Sequence, residues 1–298
     1  MMKSPGLLTT MAITLVASAA LGQQPRSAPR VPEGTVIHRD LPYVTGGHER
    51  QRLDLYLPKG GKDLPLIVWV HGGAWLAGSK DRPVPLAYLA DGYAVASINY
   101  RLSQHALFPA QIEDCKAAVR WLRASAAKYA IDPNRFAAWG ESAGGFLAAL
   151  LGTTGNIKVF DVGENLEIPS YVQAVVDYLG PTDFLQMDAH RLPGSRYHSK
   201  PESPESQLIG GPIQEMKERV AQANPITYIT ADSPPFLIVH GDMDPHVPHH
   251  QSELLEAALK KAGVPVMLYT VDGAGHSRFD DPKVPEITRT FLATHLRP

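Results

Sequence analysis

The sequence predicts an α/β fold in which a mostly parallel sheet carries helices on both faces. Continuous apolar runs, typical of strands that are covered on both faces, occur at 64–70 and 94–98, and a further buried strand is expected at 172–179. Segments with helical periodicity separate them, as expected for parallel strands joined by crossover helices. The pentapeptide Gly-Glu-Ser-Ala-Gly at 140–144 lies between a short apolar run and an apolar helical segment. It therefore places a serine on a sharp strand-to-helix turn.

The first half of the chain contributes five predicted strands. Residues 36–44 and 52–57 are expected to open the sheet as an antiparallel pair, with Gly46 and Gly47 at the turn. The later strands are joined by helices. In chain order, the remaining predicted elements are a strand at 64–70, a helix at 86–90, a strand at 94–98, a helix at 110–128 and a strand at 135–139.

The second half continues the alternation, with one interruption. Predicted strands at 172–179, 236–239 and 266–271 bring the total to eight, and helices are expected at 250–262 and 284–295. Residues 182–233 are polar, contain several prolines and show only a short helical signal. A long irregular segment in a compact domain usually forms a lid or cap, so we expect this insertion to contact substrate. The alternative is an inert surface insertion.

Composition limits the classes of function. The chain has 298 residues, 44% of them hydrophobic and 19% charged, which suits one globular domain with a sizeable core. A formal net charge of −2 without a basic stripe gives no indication of a nucleic-acid partner. Cys115 is the only cysteine, so the chain cannot form an internal disulfide.

The N-terminus is typical of a secretory signal. Lys3 precedes an apolar run at 7–21 that ends in small residues, and cleavage after Ala19 or Gly22 fits this pattern. We predict a signal peptide at 1–22, a flexible leader at 23–34 and one domain at 35–298. The protein is then secreted or periplasmic, with no stable membrane anchor, because the apolar run is too short to span a bilayer comfortably. A disordered tail or an uncleaved anchor is the alternative.

A serine on such a turn becomes a nucleophile only with a base and an orienting acid. In this type of fold the acid follows a late strand and the histidine follows the last one. Asp242 and Asp244 both follow the strand at 236–239, and spacing favours Asp244 only slightly, because Asp242 could instead cap the turn. His276 follows the last strand on a glycine-rich loop, which makes it the candidate base.

The negative charge that develops on the substrate oxygen requires hydrogen-bond donors that are fixed before reaction. The amide of Ala143, directly after the serine, is one candidate. The loop at 71–75, rich in glycine and placed after the strand at 64–70, supplies others. His246, His249 and His250 lie close together in sequence, but no carboxylate or cysteine accompanies them at metal-ligand spacing, so we expect no metal there.

These motifs resemble the esterase branch of the α/β-hydrolases, most closely the feruloyl and acetyl-xylan esterase-like (BD-FAE-type) carboxylesterases. The hormone-sensitive-lipase-like esterases are a nearby group. The resemblance covers about residues 50–296 and implies an α/β-hydrolase fold without cofactor or metal. It is carried by His-Gly-Gly-Ala-Trp at 71–75, Asn-Tyr-Arg-Leu at 99–102, Asp-Pro-Asn-Arg at 132–135, Gly-Glu-Ser-Ala-Gly-Gly at 140–145, His-Gly-Asp-Met-Asp-Pro-His-Val-Pro at 240–248 and Gly-Ala-Gly-His at 273–276.

The resemblance also implies roles for individual residues. Ser142 is the nucleophile and His276 the base, and the family pattern selects Asp244 rather than Asp242 as the acid. Backbone amides of Gly73, Ala74 and Ala143 form the oxyanion hole. Two departures are visible: an alanine at 74 replaces the third glycine seen in many relatives, and a glutamate at 141 replaces the aspartate common in the lipase-like group.

The predicted function is that of a secreted serine carboxylesterase that acts through an acyl-serine intermediate. Feruloyl, acetyl or other small acyl esters are the expected substrates, either as small molecules or linked to polysaccharide. Trp75, which adjoins the oxyanion loop, is the predicted substrate-binding residue. A prolyl-oligopeptidase-type peptidase is a weaker alternative, since this chain has no room for the additional domain of such enzymes. A non-catalytic hydrolase fold used for binding is the other alternative.

Overall fold

The computed structural model describes Met1 and residues 31–81, 83–276 and 279–297. The predicted signal peptide, apart from Met1, and most of the predicted leader lie outside the described residues. Eight strands form one sheet: β1 Val36–Pro42, β2 Arg52–Leu57, β3 Leu64–Val70, β4 Ala94–Ile98, β5 Ile131–Glu141, β6 Ala174–Tyr178, β7 Phe236–Gly241 and β8 Val266–Val271.

The strands are arranged in the order β1-β2-β4-β3-β5-β6-β7-β8. Strand β2 pairs antiparallel with both β1 and β4, whereas β4, β3 and β5 to β8 run parallel to one another. The carboxyl ends of β3, β5, β7 and β8 therefore meet at one edge of the sheet, where ligands bind in open α/β folds. This eight-stranded, mostly parallel sheet confirms the predicted fold.

Helices cover both faces of the sheet. Buried side chains of α1, α2 and α6 belong to the larger apolar cluster, and those of α7 and of the 3-10 helix Val84–Leu89 belong to the cluster on the other face. Burial is most complete for α2, in which every residue is buried, and this explains its uniformly apolar sequence. The helices are α1 Ala110–Ala124, α2 Ala143–Thr154, α3 Met187–His190, α4 Pro204–Ile209, α5 Lys217–Ala223, α6 His250–Lys261 and α7 Lys283–Leu296.

Most predicted elements differ from the structure by one or more residues at an end; for example, the strand expected at 172–179 is Ala174–Tyr178. Three other elements differ as well. The helix expected at 110–128 ends at Ala124 and continues as the 3-10 helix Ala126–Tyr129, because the backbone at Ser125 leaves helical geometry. Strand β5 begins at Ile131 rather than 135, with an irregular register across Asp132-Pro133. Strand β1 ends at Pro42 rather than 44, and its pairing is interrupted between His38 and Leu41.

The insertion at 182–233 contains the three short helices α3, α4 and α5 and no strand. Its start is fixed to α6, because Gln251 Oε1 accepts hydrogen bonds from the backbone of Thr182 at 2.8 Å and of Asp183 at 2.7 Å. Buried Phe184 also stacks on Phe146 of α2. The insertion is thus packed onto the domain beside the carboxyl edge of the sheet. Within the described ranges, no helix combines the length and apolarity needed to cross a bilayer.

Candidate active site

Ser142 lies on the turn between β5, which ends at Glu141, and α2, which begins at Ala143. Its backbone has φ 55° and ψ −121°, a conformation that non-glycine residues rarely adopt and that costs on the order of 1–3 kcal/mol. The Ser142 N–H donates to Tyr178 O of the neighbouring strand β6 at 2.8 Å. The sheet therefore holds the strained turn in place.

The two glycines around Ser142 are required by close approach of the backbone. A Cβ added at Gly140 would collide with the carbonyl of Gly144 across the turn. A Cβ added at Gly144 would collide with the carbonyl of Val70 at the end of β3. The tight turn predicted from the pentapeptide is therefore present, and steric contact accounts for both glycines.

The structure brings the three predicted catalytic side chains together from three strand ends. His276 Nε2 lies 2.9 Å from Ser142 Oγ, and His276 Nδ1 lies 2.6 Å from Asp244 Oδ2. Because a carboxylate only accepts, His276 Nδ1 carries the proton and its Nε2 accepts from the serine hydroxyl. This is the arrangement in which a serine transfers its proton to an imidazole.

Four donors surround the Asp244 carboxylate. Oδ1 accepts from the backbone of His246 at 2.7 Å and of Val247 at 2.9 Å, and Oδ2 contacts His240 Nε2 at 3.1 Å in addition to His276. Burial alone would raise the pKa of Asp244, but the hydrogen bonds from His240 and His276 outweigh it and hold that pKa well below its usual value. Asp244 is consequently ionised throughout the neutral range.

Asp242, the alternative that spacing left open, has a different position. It is exposed, and its Oδ1 accepts from the backbone of Gly273 at 2.6 Å. This contact joins the loop after β7 to the loop after β8, a structural role close to the turn-capping alternative. Of the two aspartates, Asp244 is the one hydrogen-bonded to His276.

The predicted oxyanion loop adjoins the serine turn. A Cβ added at Gly72 would lie 2.9 Å from Glu141 O and 3.4 Å from Ser142 Cβ. Gly73, Ala74 and Trp75 follow with φ of 113°, 55° and 57°, so three successive residues have positive φ. The amide of Ala143 opens α2, and the first N–H groups of a helix have no partner within the helix. Ala143 thus adjoins Ser142 in the chain, and Gly73 and Ala74 directly follow Gly72, which lies against Ser142. The oxyanion role of the three amides stays a prediction.

Arg50, which no sequence motif pointed to, forms hydrogen bonds that hold the predicted oxyanion loop in place. Arg50 donates from Nε to Tyr100 O at 2.8 Å and from Nη2 to Gly78 O at 3.0 Å, and Nη2 lies 3.1 Å from His71 Nε2. His71 Nδ1 in turn lies 2.7 Å from Gly72 O. Burial lowers the pKa of His71 to about 4, so the ring is neutral, accepts at Nε2 and donates at Nδ1. No motif signalled Arg50.

Gly73→Ala is expected to lower kcat/KM at least about a hundredfold, the typical cost of losing one oxyanion donor. A Cβ there would collide with Ala77 O, and φ 113° is unfavourable for any side chain. Steady-state hydrolysis of p-nitrophenyl acetate measures the effect. Gly46→Ala is the matched control, because Gly46 also has positive φ (64°) but nothing within 4 Å of the added Cβ. Equal losses in both variants would contradict the proposed role of the loop.

Trp75 is buried rather than open to solvent. Its ring packs edge-on against Phe146 at 5.3 Å and Phe184 at 5.6 Å between ring centroids, with the indole 2% exposed. The structure gives Trp75 a packing role that joins the loop to the insertion. Direct substrate contact by Trp75 stays a prediction.

A second buried carboxyl lies beside the serine turn without joining the triad. Asp177 of β6 is fully buried, and its Oδ1 accepts from Gly180 N at 3.0 Å. Its Oδ2 has no hydrogen-bond partner among the residues that the structure describes. Burial raises the pKa of Asp177 to about 7, and the hydrogen bond from Gly180 offsets part of that effect.

The raised pKa of Asp177 predicts that the unfolding free energy falls as pH rises from about 4 to about 7. The folded state retains a proton there that the unfolded state releases, so the stabilisation is complete below the ordinary pKa of 3.8 and is lost as pH passes through the folded value. Asp177→Asn, which cannot ionise, should remove this component, about 4 kcal/mol at most. Urea unfolding at pH 5 and pH 8 measures it, with exposed Asp280→Asn as control. A wild-type pH dependence retained in Asp177→Asn would contradict the assignment.

The three histidines considered for a metal have separate contacts. His246 is exposed with its ring 5.2 Å from that of His276, and His250 stacks on His190 of the insertion at 3.4 Å between centroids. His249 Nε2 lies 2.9 Å from Thr270 Oγ1. Within the part of the chain that the structure describes, no three His, Cys, Asp or Glu side chains are grouped so that they could hold a metal ion.

Known proteins of similar sequence are esterases. The chain is 32% identical over 257 residues to Esterase LipQ of Mycobacterium tuberculosis, an alignment that covers 81% of this chain and 57% of LipQ. It is 32% identical over 250 residues to Esterase LipC of the same organism, covering 80% of this chain and 60% of LipC. The chain thus spans less than two thirds of the length of these two curated relatives.

Solved structures of similar fold include carbohydrate-active esterases. A truncated form of a carbohydrate esterase from gut microbiota has a TM-score of 0.80 and 35% identity, covering 89% of this chain and 99% of that one. An acetyl ester-xyloside bifunctional hydrolase from Caldicellulosiruptor lactoaceticus has a TM-score of 0.68 and 27% identity, covering 82% and 86%.

The sheet topology and the converging Ser142, His276 and Asp244 side chains define a serine-hydrolase type of site on an α/β-hydrolase fold. Within that class the chain belongs to the BD-FAE family, whose model matches residues 53–259. The family resemblance predicted from the sequence is confirmed, and the curated relatives are esterases, which agrees with the predicted class of enzyme.

Proposed function

We propose that this protein is a serine carboxylesterase that hydrolyses small acyl esters through an acyl-serine intermediate. The observation that carries the proposal is the continuous hydrogen-bonded path from Ser142 Oγ through His276 to Asp244, with distances of 2.9 Å and 2.6 Å. Esterase relatives and the family membership support the reaction class.

The residues perform a two-step reaction. His276 Nε2 takes the Ser142 proton as Oγ attacks the ester carbonyl, and backbone amides of Gly73, Ala74 and Ala143 stabilise the resulting oxyanion. The imidazolium then gives this proton to the departing alcohol, which leaves an acyl group on Ser142. Water, deprotonated by His276, attacks the acyl-serine and releases the acid. Asp244, ionised and fixed by four donors, holds His276 in the required tautomer.

In this proposal, the insertion contributes to the part of the site that receives the departing alcohol, called here the alcohol side. The departing alcohol must lie within reach of His276 Nε2, and the exposed ring of His246 lies 5.2 Å from the His276 ring. Burial lowers the pKa of His246 first, and the nearby charges of His276 and of Arg196 in the insertion lower it further. Tyr197, 49% exposed with the Arg191 guanidinium 3.8 Å from its ring centroid, offers an aromatic surface next in sequence to Arg196.

A sugar hydroxyl is the alcohol that this side of the site suits best. Aromatic rings and guanidinium groups suit the apolar faces and the hydroxyls of a sugar ring. The carbohydrate esterase and the acetyl ester-xyloside hydrolase among the structural relatives support the same substrate class. We therefore propose feruloyl, acetyl or similar small acyl esters, free or linked to polysaccharide, as substrates.

The proposal includes export of the protein from the cytoplasm. The apolar run at 7–21 after Lys3 supports a cleaved signal peptide and a secreted or periplasmic protein that meets such esters outside the cytoplasm. N-terminal sequencing of the mature protein tests this part, and a mature chain that begins at Met1 would contradict it.

Parallel assays on the purified protein test the substrate class. Methyl ferulate, acetylated xylan and p-nitrophenyl esters of increasing acyl length should be hydrolysed with a preference for short or feruloyl groups, and Ser142→Ala should remove each activity. Peptide p-nitroanilides should remain intact, whereas their cleavage would favour the peptidase alternative. Failure of a fluorophosphonate probe to label Ser142 would favour a non-catalytic role.

A further inference from the structure

A second histidine contacts the same carboxylate oxygen as His276. His240 lies next to the end of β7, and its ring is fully buried. Its Nε2 lies 3.1 Å from Asp244 Oδ2 and 3.1 Å from Val247 O, and its Nδ1 lies 2.7 Å from Ser252 Oγ of α6. The two-step reaction described above gives this ring no role.

The partners of His240 determine which nitrogen carries the proton. A carboxylate and a carbonyl oxygen only accept hydrogen bonds, so Nε2 must donate to Asp244 and Val247. Burial lowers the pKa of His240, so the ring is neutral near pH 7 and Nδ1 has a lone pair. The Ser252 hydroxyl therefore donates to Nδ1. A hydrogen-bonded chain runs from Ser252 through His240 to Asp244, opposite the branch that leads to His276.

Asp244 Oδ2 consequently divides its negative charge between two N–H donors. One is His276 Nδ1 at 2.6 Å and the other is His240 Nε2 at 3.1 Å. A donor that stabilises a carboxylate makes the same oxygen a weaker acceptor for a second donor. The oxygen also stabilises the imidazolium that forms on His276 during catalysis.

We infer that His240 is a positioning residue that fixes the Asp244 carboxylate and weakens its attraction for the His276 proton. The base then remains neutral, and able to accept the Ser142 proton, at lower pH than Asp244 alone would allow. This inference rests on the proposed serine mechanism. It extends that mechanism by adding a control over the pH range in which the base works.

Other titratable groups face these two rings and remain unchanged when His240 is replaced. The ring of His249 lies 5.4 Å from His240, and His249 Nδ1 lies 3.2 Å from Glu253. The ring of His246 lies 5.2 Å from His276, with Arg196 of the insertion nearby. Asp242 of the same loop is bound to Gly273 N. A change that follows replacement of His240 alone is therefore assigned to its contact with Asp244.

The test is the pH profile of kcat/KM for p-nitrophenyl acetate in His240→Leu, which removes the donor. The rate is expected to fall about tenfold near pH 8, because Asp244 is less well oriented. The midpoint of the acid limb of this profile should rise by about half a pH unit to one unit. The Asp244 carboxylate no longer shares its charge with His240 and therefore favours protonated His276 more strongly. In His240→Gln, whose side-chain amide can donate to Asp244, the midpoint should lie close to that of the wild type. Ser252→Ala should raise it by less than His240→Leu.

The shift of the midpoint separates this role from a merely structural one. A structural residue changes the amount of active enzyme equally at every pH, so an unmoved midpoint in His240→Leu overturns the inference whatever the loss of rate. His198→Leu is the matched control, since His198 is also fully buried but has no hydrogen bond or ion pair with Asp244. An equal shift in His198→Leu would overturn it as well. If His240→Leu does not fold, Ser252→Ala decides: a raised midpoint supports the inference, provided that His240→Gln stays near the wild type, and an unmoved midpoint in Ser252→Ala overturns it.

A second readout does not require activity. The proton between His276 Nδ1 and Asp244 Oδ2 gives a downfield resonance in proton NMR, and loss of the competing donor should move it further downfield in His240→Leu. No movement contradicts the inference. If the wild type hydrolyses no ester but the resonance moves, the proposed function fails while the inferred hydrogen-bond arrangement stands. An active wild type with neither shift refutes the inference alone.

Discussion

Replacing Ser142 with alanine is expected to lower kcat on the order of a millionfold, by analogy with other serine hydrolases. The hydroxyl is the only group in the proposed mechanism that can form the acyl-enzyme, and His276 Nε2 contacts it at 2.9 Å. Binding and the oxyanion amides remain, so a residual rate above that of water is expected. Stopped assays with p-nitrophenyl acetate at high enzyme concentration measure the loss.

The fold should tolerate this substitution, which makes the result interpretable. Alanine adopts the strained backbone at position 142 with nearly the same cost as serine, so the unfolding midpoint in urea should change little. Ser170→Ala is the control, because Ser170 is buried and its Oγ has no hydrogen-bond partner among the described residues, so loss of that hydroxyl should not affect catalysis. Near-wild-type hydrolysis by Ser142→Ala would remove Ser142 from the mechanism.

The positions of the triad could be predicted because parallel strands present their carboxyl ends at one edge. A residue that directly follows such a strand needs no further information to be placed near the others. Ser142 follows β5 directly, and His276 follows β8 after a short glycine-containing loop. Ser142 also lies between Gly140 and Gly144, where an added Cβ would collide with backbone. The glycines in the pentapeptide therefore indicated the tight turn from the local sequence alone.

Asp244 and Asp242 could not be separated in the same way. Their difference arises from the path of the loop after β7, which brings the amides of His246 and Val247 onto Asp244. Loop paths depend on these contacts rather than on spacing. The family resemblance supplied the choice because it reflects the same loop.

The residues around the triad were missed for different reasons. His240 interrupts an otherwise apolar strand, and a polar group in a buried strand requires a partner, so this signal was present in the sequence. Arg50 lies in an exposed-looking turn, and only the tertiary structure reveals that it supports His71 and Tyr100. Trp75 adjoins the oxyanion loop in sequence, but its side chain turns into the core.

Asp244→Asn is expected to lower kcat about ten-thousandfold. All four contacts of the carboxylate come from N–H donors, two from the rings of His240 and His276 and two from the backbone. An asparagine offers one acceptor oxygen and one NH2 group. If the NH2 group faces His276, the ring must release its Nδ1 proton and carry it on Nε2, where it cannot accept from Ser142.

The opposite orientation of the amide is also unfavourable, because the NH2 group would then face the amides of His246 and Val247 and leave them without an acceptor. Asp244→Asn should therefore lose activity in either orientation, and near-UV circular dichroism establishes that the variant is folded. Asp242→Asn is the matched control two residues away: Asp242 is exposed, and the asparagine oxygen can still accept from Gly273 N, so activity should change less than about threefold. If Asp242→Asn proves to be the damaging substitution and Asp244→Asn remains active, the acid has been assigned to the wrong aspartate, and the chain from Ser252 through His240 loses its functional target.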